Sequence, residues 1–262
     1  MTVFSKLYIK HRLVVSPVGA SLLGARQRLS RLKHLKYPEL ALLREEDVLM
    51  RSVLRRLLSR NSVCVDVGAH IGSISQLFHC YAPDASHVIV EASPHKAAWL
   101  RKAFPRATVH QVAVSESIGE VSFFENLDRS GFSSLRDRHS RGRTQEIVTK
   151  CTTLDQLLTD RNRIDLIKVD VEGFEYNVFK GAQAVIDQHR PILIFEAGAA
   201  KDKDIDNEAY MALFDLLTGP LGYDLRPIFG EHWGKAPITK AEFMACRTYP
   251  FLAFNFIARP KV

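Results

Sequence analysis

The chain lacks several features that would place it in large functional classes. Its 262 residues hold four cysteines, Cys64, Cys80, Cys151 and Cys246, and no CxxC pair. Zinc frameworks and a disulfide-stapled fold are therefore not expected, and a reducing compartment is favoured. Cys64 and Cys80 sit in apolar surroundings and read as reduced core residues. No apolar run reaches the ~18–20 residues of a membrane-spanning helix. There is no G-x-G-x-x-G dinucleotide fingerprint and no G-x-x-x-x-G-K-[ST] phosphate loop. There is also no repeat, no low-complexity segment, and no recognisable DNA-binding motif or aromatic-basic RNA signature. The segment Leu13 to Ala25 follows Lys6, Lys10 and Arg12 and imitates a signal peptide. Pro17 and Gly19 argue instead for a packing segment or surface helix.

The totals are those of a globular protein, 46% hydrophobic and 25% charged, enough for one large α/β domain or two small ones. The net charge of +7 is unevenly placed. Residues 1–60 carry 13 Lys/Arg against 4 Asp/Glu, and the remainder 23 against 25. Basic character belongs to an N-terminal helical extension, residues 1–44, preceding a domain over 45–262. A basic, partly apolar extension suits peripheral contact with an anionic membrane. A cytoplasmic protein, peripheral at the inner membrane surface, is the matching expectation. No nucleic-acid partner is expected.

From Pro38 to Leu58 the apolar residues, Val48, Met50, Val53 and Leu54 among them, recur at helical spacing. "SVCVDVG", "HVIVEA" and "TVHQVAV" read as strands, with helices "ISQLFHCYA" and "PHKAAWLRKAF" between them. Pro94 near the second helix start loses no needed hydrogen bond. "EVSFFEN" alternates like a further strand. Residues 126–145 read as a long polar loop, and its arginines (129, 136, 138, 141 and 143) suit an acceptor clamp for phosphate or carboxylate. "TTLDQLL" is a short helix capped by Thr152 or Thr153. A strand over 165–171, a helix over 174–188, the strand "PILIFEAG", a helix over 207–219 and two late strands, "YDLRPIF" and "FLAFNFIA", complete the pattern. Such alternation predicts an α/β fold with a mostly parallel sheet and helices on both faces. The late strands allow an antiparallel edge.

"VCVDVGAHIG" ends the first strand with Asp66, Gly68 and Gly72. The glycines permit a tight turn and close approach of backbone or ligand. Asp66 would repel a phosphate, so a cationic or zwitterionic ligand fits better. Glu91, about 20 residues on, can accept from ribose hydroxyls. Together they point to an adenosine-type ligand without phosphate, and S-adenosylmethionine fits. A packing turn with a solvent-facing Glu91 is the bland alternative.

The segments "VDVGAHIG", "VIVEASP", "HQVAVSESIGEVSFF", "SGFSSL", "TTLDQLL", "IKVDVEGFEYNVFKGA" and "PILIFE" stand in the order found in the FkbM family of methyltransferases, which the chain resembles over roughly residues 45–200. The resemblance implies a Rossmann-like class I methyltransferase fold with a seven-stranded sheet. It implies S-adenosylmethionine as cofactor and transfer to a hydroxyl oxygen, most often of a sugar in a glycan, glycolipid or related metabolite. It implies that Asp66, Gly68, His70 and Gly72 surround the methionine part, that Glu91 holds the ribose, and that Ala113 and Ser115 lie near the adenine.

"DLIKVDVEGFE" puts Asp170, Glu172 and Glu175 at the end of an apolar strand. Alternate strand residues share a face, so Asp170 and Glu172 are expected to project together, with Glu196 beside them. These three are the candidate catalytic acids, able to orient a hydroxyl and take its proton. Glu175 reads as a charge stabilising the next helix. Direct base catalysis is preferred to a divalent cation held by the three acids, so no metal is assigned. His70 reads as space-filling beside the cofactor, and His232 and Trp233 as an exposed loop or a pocket wall. The rival functions are a nicotinamide oxidoreductase, disfavoured by the glycine spacing, and a nucleic-acid-binding protein using the basic extension.

Overall fold

The computed structural model describes residues 39–126, 144–198, 205–249 and 251–261. The chain divides into two compact units, residues 1–45 and 46–262. Of the first, only 39–45 are described. The segment at 13–25 and the arginine-rich loop at 127–143 lie outside the described residues.

Helix α1 is Glu39–Leu57. It buries Met50, Val53 and Leu54, but Val48 is exposed, against the spacing argument. Strand β1 (Cys64–Val67) is followed by α2 (Ser73–Tyr81), β2 (Val88–Val90), α3 (Pro94–Ala103) and β3 (Thr108–His110). Ser93 caps α3, accepting from the Lys96 N–H, with Pro94 in the first turn as expected.

"TVHQVAV" is not one strand. Its first part, β3, pairs with β2, while β4 (Ala113–Val114) pairs with β6 (Thr144–Thr152) in a separate sheet. The alternation continues through the break, but the partner changes. β5 (Gly119–Asn126) completes that three-stranded sheet, in the order β4-β6-β5.

Helix α4 (Leu154–Leu157) is capped by Thr153 and leads to β7 (Leu166–Val169). The helix expected over 174–188 is two helices, α5 (Glu175–Lys180) and α6 (Gln183–His189). Gly181 sits at the break, where a β-carbon would stand 2.3 Å from the Ser115 carbonyl oxygen. Asp155 satisfies the start of α6, accepting from Val185 N–H at 2.8 Å and Ala184 N–H at 3.2 Å. Then come β8 (Ile192–Glu196), α7 (Ile205–Thr218), β9 (Tyr223–Pro227), α8 (Ile228–His232), α9 (Lys240–Cys246) and β10 (Asn255–Pro260).

The main sheet has seven strands in the order β3-β2-β1-β7-β8-β10-β9. All its pairings are parallel except those of β10, which runs antiparallel to both β8 and β9. Met50, Val53, Leu54, Leu77, Phe78 and Ile228 cover one face. Val178, Phe179, Ile186, Leu213, Leu217 and Phe243 cover the other. This is the mostly parallel α/β fold that the sequence pattern predicts, with an antiparallel edge and the order reversing between β1 and β7. Ligands bind beyond the carboxyl ends of such strands, at that reversal. Among the described residues no helix is long and apolar enough to cross a membrane.

Candidate active site

The turn after β1 is held in three left-handed residues, Gly68 (φ 75°), His70 (φ 55°) and Gly72 (φ 86°). A left-handed histidine costs energy, and the surroundings fix it. Glu91, just past β2, accepts from the His70 N–H through Oε2 at 2.8 Å and from the Ser93 N–H through Oε1 at 2.9 Å. It is buried, and burial raises its pKa, opposed by nearby Lys96 and by these two N–H bonds. Glu91 therefore shapes the turn through both of its oxygens. Ser93 also donates to Glu125 Oε1 at 2.5 Å, tying the end of β5 to the same corner.

Asp66 lies inside the protein, fully buried on β1. Its Oδ2 accepts from the Ser75 hydroxyl at 2.5 Å, and Lys168 Nζ stands 3.9 Å from its Oδ1. Burial raises its pKa, and Lys168 and Ser75 work against that. In register, Asp66 faces Lys168 across the β1–β7 pair. Lys168 Nζ also donates to Asp170 Oδ2 at 2.9 Å. Burial disfavours the ammonium, yet Asp170 and Asp66 outweigh it and raise its pKa. Asp170 keeps 30% of its side chain exposed, against 7% for Lys168 and 1% for Asp66.

The strand ends at Val169, two residues earlier than the sequence pattern indicates. Glu172 then takes φ 56°, and the pleat that would align it with Asp170 is lost. The two acids still share one electrostatic neighbourhood with Glu196. Burial, then Asp170, then Glu172 push Glu196 well above the usual carboxylate range, while Lys168 opposes. Glu175 is buried and serves the turn itself, accepting from Val171 N–H at 3.0 Å, from Gly173 N–H at 3.1 Å and from the Tyr210 hydroxyl at 2.7 Å. Tyr210 in turn accepts from Gly198 N–H at 3.1 Å, beyond the end of β8.

Ala113 is buried in β4, and Ser115 is half-buried, its N–H donating to Thr152 O at 3.0 Å. Between the two sheets an open groove of about 640 Å³ is lined by Gln111, Val112, Ile118, Lys150, Gln156 and Leu157 among others, and it includes none of the catalytic candidates. Glu231 and His232 lie at the opposite end of the sheet. Arg56 donates to the carbonyl of His232, and Arg259, paired with Asp224 at the start of β9, binds the Glu231 carboxylate. They are no pocket wall for the acids beside Glu196. Among the described residues no group of three or more His, Cys, Asp or Glu is disposed to hold a metal ion.

The family model for the methyltransferase FkbM domain matches residues 66–225, more than half of the chain. The chain belongs to the FkbM methyltransferase family. The dehydrogenase reading is set aside accordingly. The sequence finds no match among curated proteins. Solved structures of similar fold include methyltransferase FkbM from Methylobacillus flagellatus, 19% identical, with a TM-score of 0.46 and coverage of 77% of this chain and 44% of that one. The chain thus spans less than half the length of that protein. Others are precorrin-6y C5,15-methyltransferase from Geobacter metallireducens (14% identity, TM-score 0.41, covering 69% and 72%) and an rRNA methylase from Streptococcus thermophilus (9%, 0.42, covering 81% and 95%).

FkbM methyltransferases use S-adenosylmethionine, and the donor set here suits it. The carboxyl ends of β1, β2 and β7 present Glu91 and Asp170, acceptors for hydroxyl or ammonium groups and a complement to a cation. The one ammonium between β1 and β7, on Lys168, is engaged by carboxylates rather than open to a pyrophosphate. Lys168 and the acceptor role of Glu175 are not among the residues expected from sequence, although a lysine in an otherwise apolar strand between acids is a visible signal.

Proposed function

We propose that this FkbM-family protein transfers the methyl group of S-adenosylmethionine to a hydroxyl oxygen of a sugar, in a glycan, glycolipid or related metabolite. One observation carries the reading: a partly exposed carboxylate, Asp170, is fixed beside the glycine turn, with the raised-pKa Glu196 in its electrostatic neighbourhood. When bound, the cofactor supplies an electrophilic methyl group whose bonding pair leaves with sulfur. Glu91 and the turn at 68–72 hold the ribose and methionine portions. Asp170, engaged by Lys168 through Oδ2, takes the acceptor's hydroxyl proton on its other oxygen as the new C–O bond forms. Glu196, whose raised pKa favours the protonated form, donates a hydrogen bond that orients the acceptor. Orientation supplies much of the rate in such a displacement.

The test is incubation of the full chain with methyl-labelled S-adenosylmethionine and separate glycan, glycolipid, small-molecule, protein and nucleic-acid fractions. Label recovered as a sugar methyl ether supports the reading. Label confined to protein or nucleic acid, or no transfer to any fraction, overturns it.

A further inference from the structure

We propose that Lys168 is a positioning residue for methyl transfer, holding Asp170 in place and linking it to the root of the cofactor turn. This rests on the reading of Asp170 as the carboxylate that faces the acceptor. Strand β7 reads LIKV, and all four residues are buried. An ammonium there is costly unless paired. The register sets Lys168 opposite Asp66, and its chain is long enough to reach past the strand end to Asp170. One ammonium thus serves two carboxylates at unequal distance, 2.9 Å for Asp170 and 3.9 Å for Asp66.

The two carboxylates differ in kind. Asp66 is sealed, with Oδ2 on Ser75 in the first turn of α2 and Oδ1 without a hydrogen-bond partner. Its attraction for Lys168 serves the interior. Asp170 alone of the three reaches the surface. Its backbone is braced by the same turn, since Asp170 N–H donates to Val67 O at 3.0 Å and its carbonyl lies against Gly68. Lys168 adds the side-chain restraint that the backbone cannot give. Glu196 and Glu175 also lie within electrostatic reach of Asp170, and whenever either is ionised it repels the Asp170 carboxylate. Without the ammonium, Asp170 would turn away from them.

Four variants of the full chain test this: Lys168→Met, Asp170→Asn, the pair together, and Lys168→Met with Asp66→Asn. The last removes the buried charge that the methionine would strand, and it should recover the unfolding temperature lost in Lys168→Met. Turnover should fall about 10- to 100-fold in Lys168→Met and should not return when stability does. Once Asp170 is asparagine, Lys168→Met should cost no further turnover, because residues acting as a unit are non-additive. Multiplying losses, or turnover that recovers with the unfolding temperature, would overturn the proposal. Should wild type transfer no methyl, the proposed function falls while this inference is still decided by carbodiimide labelling of Asp170, read by mass spectrometry. Several-fold faster labelling in Lys168→Met/Asp66→Asn than in wild type supports the ion-pair restraint, and an equal rate overturns it.

Discussion

Gly68 lies against the carbonyl of Asp170: a β-carbon on it would stand 1.8 Å from that oxygen. The first glycine of the turn therefore serves the backbone at Asp170 before it serves any ligand. With φ 75° it also occupies a region that side chains rarely adopt.

Gly68→Ala should lower the unfolding free energy by about 2 kcal/mol or more, since strain and a backbone clash add. Denaturant melts measure this. Gly72→Ala would meet the Phe104 ring instead of backbone. Its folded fraction should keep more turnover than that of Gly68→Ala. Equal turnover losses per folded molecule would show that Gly68 does not brace Asp170.

Asp170→Asn should retain the fold and most cofactor affinity. General-base assistance is typically worth ~10²–10⁴ in rate, and turnover should fall within that range. Glu196→Gln should cost less, because an amide still donates a hydrogen bond. Full activity in Asp170→Asn would place the base elsewhere.

Glu91→Gln leaves one acceptor oxygen where two backbone N–H groups now bond. Calorimetry should show S-adenosylmethionine affinity at least ~10-fold weaker, since one charge-assisted bond is worth ~1.5–3 kcal/mol. Unchanged affinity in the folded variant would remove Glu91 from the cofactor site.

Tyr210→Phe removes the hydroxyl that links buried Glu175 to Gly198. Leaving such groups unsatisfied costs about 1–3 kcal/mol. Wild-type stability in the variant would mean that the link carries no load.

His87 gives a pH signature. It is buried, Cys64 N–H donates to its Nδ1 at 3.2 Å, and its Nε2 lies 3.0 Å from Ala82 O. Burial, with His79 adding, lowers its pKa from 6.5 to about 4. The unfolded chain then binds the proton more tightly than the folded one. The stabilisation is complete above about pH 6.5 and is lost as pH falls toward 4, amounting to ~3 kcal/mol. The buried acids Asp66, Glu91 and Glu175, with raised values, push the opposite way. Comparing His87→Gln with wild type isolates the histidine. The cost of the substitution should shrink between pH 7 and pH 4.5, and a constant cost would refute the assignment.

Much of this architecture was legible in one dimension. Apolar period gave α1, α2, α3, β1, β2, β7 and β8, because each has a face or whole strand that must leave water. The glycine turn was legible too, since turn conformation is a local property, but the end of β7 was read two residues late, and Glu172 stands in a turn beyond it. Strand β6 was not. "TQEIVTKCT" carries polar residues on both faces and leaves Val148 exposed, so no burial pattern marked it. Pairing with β4 and β5 made it a strand. Cys80 looked like core from its apolar neighbours, yet it is exposed, because the buried stripe of α2 runs through Ser75, Leu77 and Phe78.

The sequence by itself determined most of the elements and the glycine turn that carry the candidate residues. Only the tertiary structure decided their partners. Asp66 and Lys168 are about a hundred positions apart, and the β1–β7 register alone puts them opposite each other. Glu91 became a clamp on the turn because β2 lies beside β1. The same long-range packing set which carboxylates are stripped of water and which, like Asp170, still meet it. Ionisation depends on that solvent access and on nearby charge, and neither is a property of the chain before it folds.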